Sequence, residues 1–134
     1  MAIIGVVFNS MEARINRSKA SGKIKISSKP TIKNVEKRKI SLPHIEDVLV
    51  INFEFETKYE PELGSIKFTG EVLYTEENID EVVKEWEKKQ VLKDSIAVPV
   101  LNAVFRRCLT KAIEIAEELQ LPPPINFPVV KSKK

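Results

Sequence analysis

Val48-Leu49-Val50-Ile51-Asn52-Phe53-Glu54-Phe55-Glu56-Thr57-Lys58-Tyr59 is the stretch on which the fold turns. In an extended chain Leu49, Ile51, Phe53, Phe55, Thr57 and Tyr59 point one way, and Asn52, Glu54, Glu56 and Lys58 point the other. A period of two held this long marks a strand with one dry face and one wet face. Pro61 to Gly64 supply turn residues behind it, and Ser65 to Tyr74 returns with Ile66, Phe68, Val72 and Tyr74 on one side. The expectation is a hairpin of long strands. Gly70 falls inside the returning apolar row, which marks a place for close approach by backbone or a partner side chain.

Upstream, Ile3 to Ile15 also alternates: Val7, Asn9, Met11, Ala13 and Ile15 share one face, and Phe8, Ser10, Glu12 and Arg14 the other. This reads as a strand. Ser18 to Gly22 reads as a turn, after which Lys23 to Ile26 resumes alternation until Pro30 interrupts it. The apolar phase shifts again between Ile32 and Val35, which suggests a bulge in one long, interrupted edge strand. Leu42 and Pro43 are expected to begin a crossover. All strands precede the helices, which implies an antiparallel sheet and an α+β class.

Asn78 opens a helix with Glu81 in the capping-box position, and Ile79, Val82, Val83 and Trp86 form its single apolar stripe. Lys88 to Lys93 links it to a principal helix over residues 99 to 120, with Pro99 in the first turn. Leu101, Phe105, Cys108, Ala112, Ile115, Ala116 and Leu119 are its expected buried stripe, about 30 Å long. Then comes Leu119-Gln120-Leu121-Pro122-Pro123-Pro124-Ile125-Asn126-Phe127. Three prolines remove three backbone donors, so this segment neither extends the helix nor enters the middle of a sheet. It spends Leu119, Leu121, Ile125 and Phe127 on a stretch without regular hydrogen bonding, and something apolar must receive them. Residues 1–128 are expected to form a single domain, and residues 129–134 a disordered basic tail.

The 134 residues, 43% hydrophobic and 31% charged, suit one soluble globular domain. No run approaches the roughly 20 apolar residues of a membrane span, so no membrane insertion is expected. Ala2 to Phe8 lacks a basic flank and a small-residue cleavage site, reading as a strand and not as a signal peptide. One cysteine, Cys108, excludes an internal disulfide and agrees with a cytoplasmic location. The net charge of +3 is segregated: residues 1–41 carry ten Lys/Arg against two Asp/Glu, and residues 42–98 carry six against fourteen. Such a basic block could hold phosphates. The favoured reading is that basic strands pair with acidic ones, because no aromatic lies between Phe8 and Phe53 to stack on bases.

Little in the chain suggests chemistry. His44 is the only histidine, so neither a His/Cys metal cluster nor a His-based triad can be assembled within one chain. Cys108 lies on the expected buried stripe, with Arg106 and Arg107 pointing away around the helix, and reads as a core thiol. Glu54 and Glu56 stand side by side on a strand, a solvated pair more readily than an acid/base couple. No glycine pattern cradles a phosphate. The chain is therefore expected to be no enzyme, with no catalytic residue, no metal and no cofactor.

Pro124-Ile125-Asn126-Phe127 after a long helix resembles the Pro-Val-Asn-Phe signature of the SecB-like chaperones, and Arg107-Cys108-Leu109-Thr110 resembles the segment inside that helix. The hairpin Ile51 to Tyr74, followed by a short helical connection, falls where that family places its central strands. The likeness touches most of residues 45–128. Departures are Asn102, where the family carries a second proline, the Lys131 to Lys134 tail in place of a metal-binding or acidic one, and a longer, more basic first 41 residues, as in a divergent branch. The resemblance implies a four-stranded antiparallel Greek-key sheet with a short helix and a long C-terminal helix on one face. It also implies a homo-oligomer, dimer or tetramer, and ATP-independent binding of unfolded polypeptides in apolar grooves, linked to protein export.

Burial and backbone pairing together would let such a groove hold extended chains with little sequence specificity. Trp86, Leu119, Leu121, Ile125 and Phe127 are the groove-lining candidates, with Phe53 and Phe55 behind them, and plain core packing is the alternative for each. Two other readings stand beside this one. The first is a nucleic-acid-binding module using Arg14, Arg17, Lys19, Lys23, Lys25 and Lys29; nucleic acid is the less favoured partner. The second is a structural or adaptor oligomer whose apolar end seals a subunit interface.

Overall fold

The structure, a computed structural model, describes residues 2–17, 23–43 and 45–125. Four strands come first, β1 (Ile3–Ile15), β2 (Lys25–Leu42), β3 (Ile45–Glu60) and β4 (Gly64–Tyr74), followed by two helices, α1 (Ile79–Lys89) and α2 (Asp94–Glu118). The sheet order is β1-β4-β3-β2 with every neighbour antiparallel. Three consecutive strands form hairpins and β1 lies beside β4, which is a Greek key. The α+β architecture thus stands as the sequence implied.

Strand β3 sits centrally, and Leu49, Ile51, Phe53, Phe55, Thr57 and Tyr59 are all buried on one face. Thr57 meets its hydrogen-bonding need through Ser28, whose hydroxyl lies 2.8 Å away. Strand β2 is the long edge strand, with a register shift between Ile32 and Asn34 that leaves Lys33 as the extra residue. Pro30 is tolerated there because an edge strand has one side free of ladder bonds. The connection at Pro43 is not a crossover: Leu42 pairs with Ile45 and the chain turns straight back. The crossover is the earlier link, which carries the chain from β1 at one edge to β2 at the other. The expected turn at Ser18 to Gly22 and the tail at 129–134 lie outside the described residues, as does His44.

Helix α1 buries Ile79, Val82 and Trp86, as its stripe predicts. Its capping box does not form; Asn78 makes no side-chain cap bond, and the Glu76 carboxylate instead accepts from the Glu77 and Asn78 amides. Helix α2 starts at Asp94, five residues earlier than expected, so Pro99 lies in its second turn. The lost bond is to the Ser95 carbonyl, on an exposed turn where water can replace it. Its buried residues are Ile96, Val100, Val104, Cys108, Ala112 and Ala116, one every four residues. Cys108, Ala112 and Ala116 belong to the expected stripe; Leu101, Ile115 and Leu119 flank it half-buried, and Phe105 is exposed. The stretch Ile96 to Phe105 is apolar except for Asn102, so its phase is set mainly by the sheet and not by its own pattern. The ridge shrinks from isoleucine to alanine along the helix, letting the helix approach a sheet face that carries large rings.

The opposite face of the sheet is charged. Lys33 and Lys67 both hold Glu54, at 3.0 and 2.7 Å, and Arg38 forks onto Glu71 at 2.9 and 2.8 Å. Arg38 stands opposite Val48 and Glu71 opposite Asn52, so their ion pair runs diagonally across Val50, which is fully buried. The wet face is therefore dry at Val48 and Val50.

Gly70 is the tightest point of the core. A Cβ there would strike the Val7 carbonyl and come within 2.7 Å of the Phe53 ring, whereas one at Gly5 would meet nothing within 4 Å. Gly70→Ala is accordingly expected to cost about 1–3 kcal/mol in urea unfolding, with Gly5→Ala within about 0.5 kcal/mol of the parent.

Candidate functional site

The reactive side chains are quiet. Cys108 is fully buried, and burial pushes its thiol from 9.0 up to about 12. The Glu54 carboxyl is held below its ordinary range by hydrogen bonds from Lys67 and Lys33, the reverse of what a general acid needs. No group of three or more His, Cys, Asp or Glu able to hold a metal occurs among the described residues.

What the surface does offer is apolar and lies at β1. This edge strand hydrogen-bonds only to β4 in the sheet order, which leaves its other row of N–H and C=O groups open. It bears no charge from Ile3 to Met11, and Ile4, Val7 and Met11 are 40%, 48% and 45% exposed. Register shifts at Ile3/Gly5 and Phe8/Ser10 break the strict alternation read from the sequence. As a result Val6, Phe8 and Met11 all turn toward the helical side, opposite Val72, Gly70 and Phe68.

Between β1 and α2 runs a groove of about 670 Å³. Ile3, Val6 and Phe8 line its sheet side, and Ala103, Arg106, Arg107, Thr110, Lys111 and Glu114 its helix side. Phe8 is anchored from below by the Phe68 and Phe53 rings, at 5.4 and 6.3 Å between centroids. From above, the Arg107 guanidinium lies 5.4 Å from the Phe8 ring centre. The half-buried Phe8 is thus a fixed apolar floor roofed on one side by a cation.

The residues singled out from sequence fall elsewhere. Phe53 and Phe55 of β3 and Trp86 of α1 are buried in one core cluster. Phe105, exposed on α2, packs edge-on to Phe55 at 5.7 Å. Leu119 is half-buried against the core and Leu121 is 4% exposed within it. Leu121 also borders a small depression of about 260 Å³ with Ile113, Glu117 and Pro123. Ile125 is half-buried, and Phe127 lies outside the described residues.

A local device explains Leu121. Gln120 adopts the left-handed conformation at φ 56°; its amide donates to the Glu117 carbonyl and the Leu121 amide donates to the Ala116 carbonyl. This is a Schellman motif, which turns the chain sharply and presses the residue after the left-handed position onto the helix. The Tyr59 hydroxyl then donates to the Pro122 carbonyl at 2.7 Å and ties the proline segment to β3. The start of that segment is sealed into the fold. The groove at β1 was missed, although its signal is plain in the sequence: nine residues of an edge strand, Ile3 to Met11, without a charge.

No protein-family model matches the chain, and no curated protein matches it significantly. Among solved structures, a SecB-like chaperone of Mycobacterium tuberculosis, in complex with a ChAD peptide from the HigA1 antitoxin, is similar over 98% of this chain and 91% of that one, at 10% identity and a TM-score of 0.46. A likeness that loose says nothing of function.

Cys108 and Tyr59 make the stability pH-dependent on the alkaline side. Burial raises both, the phenol from 10.0 to about 12 and the thiol to about 12. The folded state keeps protons that the unfolded chain releases. Their contribution is therefore intact below about pH 8.5 and is lost as pH climbs toward 12. The urea midpoint is expected to fall between pH 8 and 11, less steeply in Tyr59→Phe, which at neutral pH loses about 0.5–1.5 kcal/mol with its hydrogen bond. Iodoacetamide at pH 8 should modify Cys108 only after unfolding.

Proposed function

We propose that this chain is an ATP-independent binder of non-native polypeptides, which it takes up in extended form along β1. The single observation that carries this is the free, uncharged edge of β1 beside a groove floored by Ile3, Val6 and Phe8. Edge strands are ordinarily blunted by charge or proline because they template pairing with other chains. Here β2 follows that practice, with Pro30 and lysines, and β1 does not. An added strand gains main-chain hydrogen bonds from the edge, whatever its sequence, and buries apolar side chains in the groove.

Assembly into a dimer or tetramer is part of the same proposal, as is action in the cytoplasm; Val98, 54% exposed, and Phe105 give α2 an apolar outer side for contact between copies. No helix among the described residues is long and apolar enough to cross a membrane. The nucleic-acid reading is disfavoured by the register, which sets Lys25 opposite Glu60 and Lys29 opposite Glu56, while Lys33, Lys37 and Arg38 form ion pairs with carboxylates. Basic strand meets acidic strand, as the charge segregation suggested.

Stoichiometric amounts of the protein are expected to suppress aggregation of an unfolding client. Val7→Lys, a change at an exposed edge position, should reduce that suppression to less than about half while leaving thermal stability unchanged. Failure to protect any of several unrelated clients would rule the reading out.

A further inference from the structure

The groove has a sign. Three cations, Arg106, Arg107 and Lys111, stand on its helix side, and its one acid, Glu114, is already engaged by Lys111 at 3.0 Å. Arg106 and Arg107 are exposed and make no ion pair with any carboxylate among the described residues. Elsewhere on the sheet the corresponding cations are matched: Lys33 and Lys67 to Glu54, Arg38 to Glu71 and Glu36. The two unmatched guanidiniums are thus set against Ile3 to Met11, the part of β1 that carries no charge. A guanidinium lying over a ring keeps its N–H edges directed outward, and those edges fit a carboxylate in two parallel bonds.

The dimensions name the kind of ligand. Ile3 to Phe8 spans about 17–20 Å as a strand, and Ala103 to Glu114 spans about 16–17 Å as a helix. Both walls thus match five or six residues of extended chain. A strand added at the β1 edge alternates its side chains, so every second one turns toward α2, where apolar groups meet Val6 and Phe8 and longer acidic ones reach Arg106 and Arg107.

We propose that the groove selects extended polypeptide segments in which acidic side chains are interspersed with apolar ones, and discriminates against basic segments of equal hydrophobicity. This rests on the polypeptide-binding reading above and adds charge selectivity to it. The cations of α2 supply the preference, and the β1 edge supplies the sequence-independent part of the affinity.

Fluorescein-labelled peptides Val-Val-Glu-Glu-Val-Val-Glu-Glu and Val-Val-Lys-Lys-Val-Val-Lys-Lys, which carry apolar and charged residues on both faces, test it by anisotropy against the full chain. In about 50 mM salt the glutamate peptide is expected to bind about tenfold tighter, with the gap closing near 500 mM as screening sets in. Arg106→Gln with Arg107→Gln should abolish the gap, and Arg106→Glu with Arg107→Glu should invert it, both in a protein that still unfolds cooperatively, with a melting temperature lowered by no more than about 4 °C through loss of the Arg107–Phe8 contact.

Equal affinities, or a preference untouched by these substitutions, in a protein that still suppresses client aggregation would overturn the charge selectivity alone. Absence of peptide binding together with absence of suppression would overturn the underlying reading and the inference with it. Sodium laurate displacing the glutamate peptide while the edge variant Val7→Lys leaves peptide affinity unchanged would assign the groove to a fatty-acid anion. A dimer that excludes the glutamate peptide would assign the β1 edge to a second copy. Either result refutes the inference.

Discussion

The six-residue ridge of α2, every fourth residue from Ile96 to Ala116, lies on the buried face of the sheet, and that contact fixes where everything else sits. At 25 residues, about 37 Å, the helix is long enough to touch all four strands. Its small residues fall toward the end where Tyr59 reaches Pro122, and its exposed Phe105 still reaches the Phe55 ring. Once the ridge is seated, the stripe Ala103, Arg107, Thr110 and Glu114 has to face β1 without covering it. The groove is the geometric remainder of a helix that packs on the centre of a sheet and leaves an edge strand part-roofed.

Charge acts on the same sheet from the other face. Glu54 accepts from cations on both neighbouring strands, and Arg38 reaches over Val50 to Glu71. Each exposed pair contributes little alone, on the order of 0–1 kcal/mol. Together they engage Asp47, Glu54 and Glu56 of β3 and Glu71 of β4. They also specify register, because a slip of β2 against β3 by one residue would turn its lysines to the apolar side. Strand β1 is open because it ends the sheet, and it takes no part in these ion pairs before Glu12 because Ile3 to Met11 carries no charge.

Much of this was legible in the sequence, and the failures have physical causes. The faces of β3 and β4, the bulge near Lys33 and the close approach at Gly70 follow from period and residue size. The phase of α2 does not, since nine of the ten residues from Ile96 to Phe105 are apolar and the facing sheet selects which of them are buried. Leu42-Pro43 reads equally well as a turn or a crossover, and strand order, a non-local property, decides between them. The apolar residues of the proline-rich end have no receiver visible in the sequence, because the left-handed Gln120, whose conformation no local pattern announces, is what delivers Leu121 to the core.

Two apolar segments thus looked alike in sequence and differ in fate. Leu121 and Pro122 are received by the protein itself, through the Schellman turn and the Tyr59 hydroxyl. Ile4, Val7 and Met11 are received by nothing on this chain among the described residues. The difference is in hydrogen bonding as much as in hydrophobicity. The first segment consists largely of prolines, which have no backbone donors to satisfy, so a single hydroxyl and two amides suffice to seat it. The second is a strand with a row of donors and acceptors along its free side, which water satisfies in the isolated chain and which an added extended strand can pair in register. On the function proposed above, the apolar character of the β1 groove sets how strongly a partner is held, and the open backbone edge beside it favours an extended polypeptide as that partner.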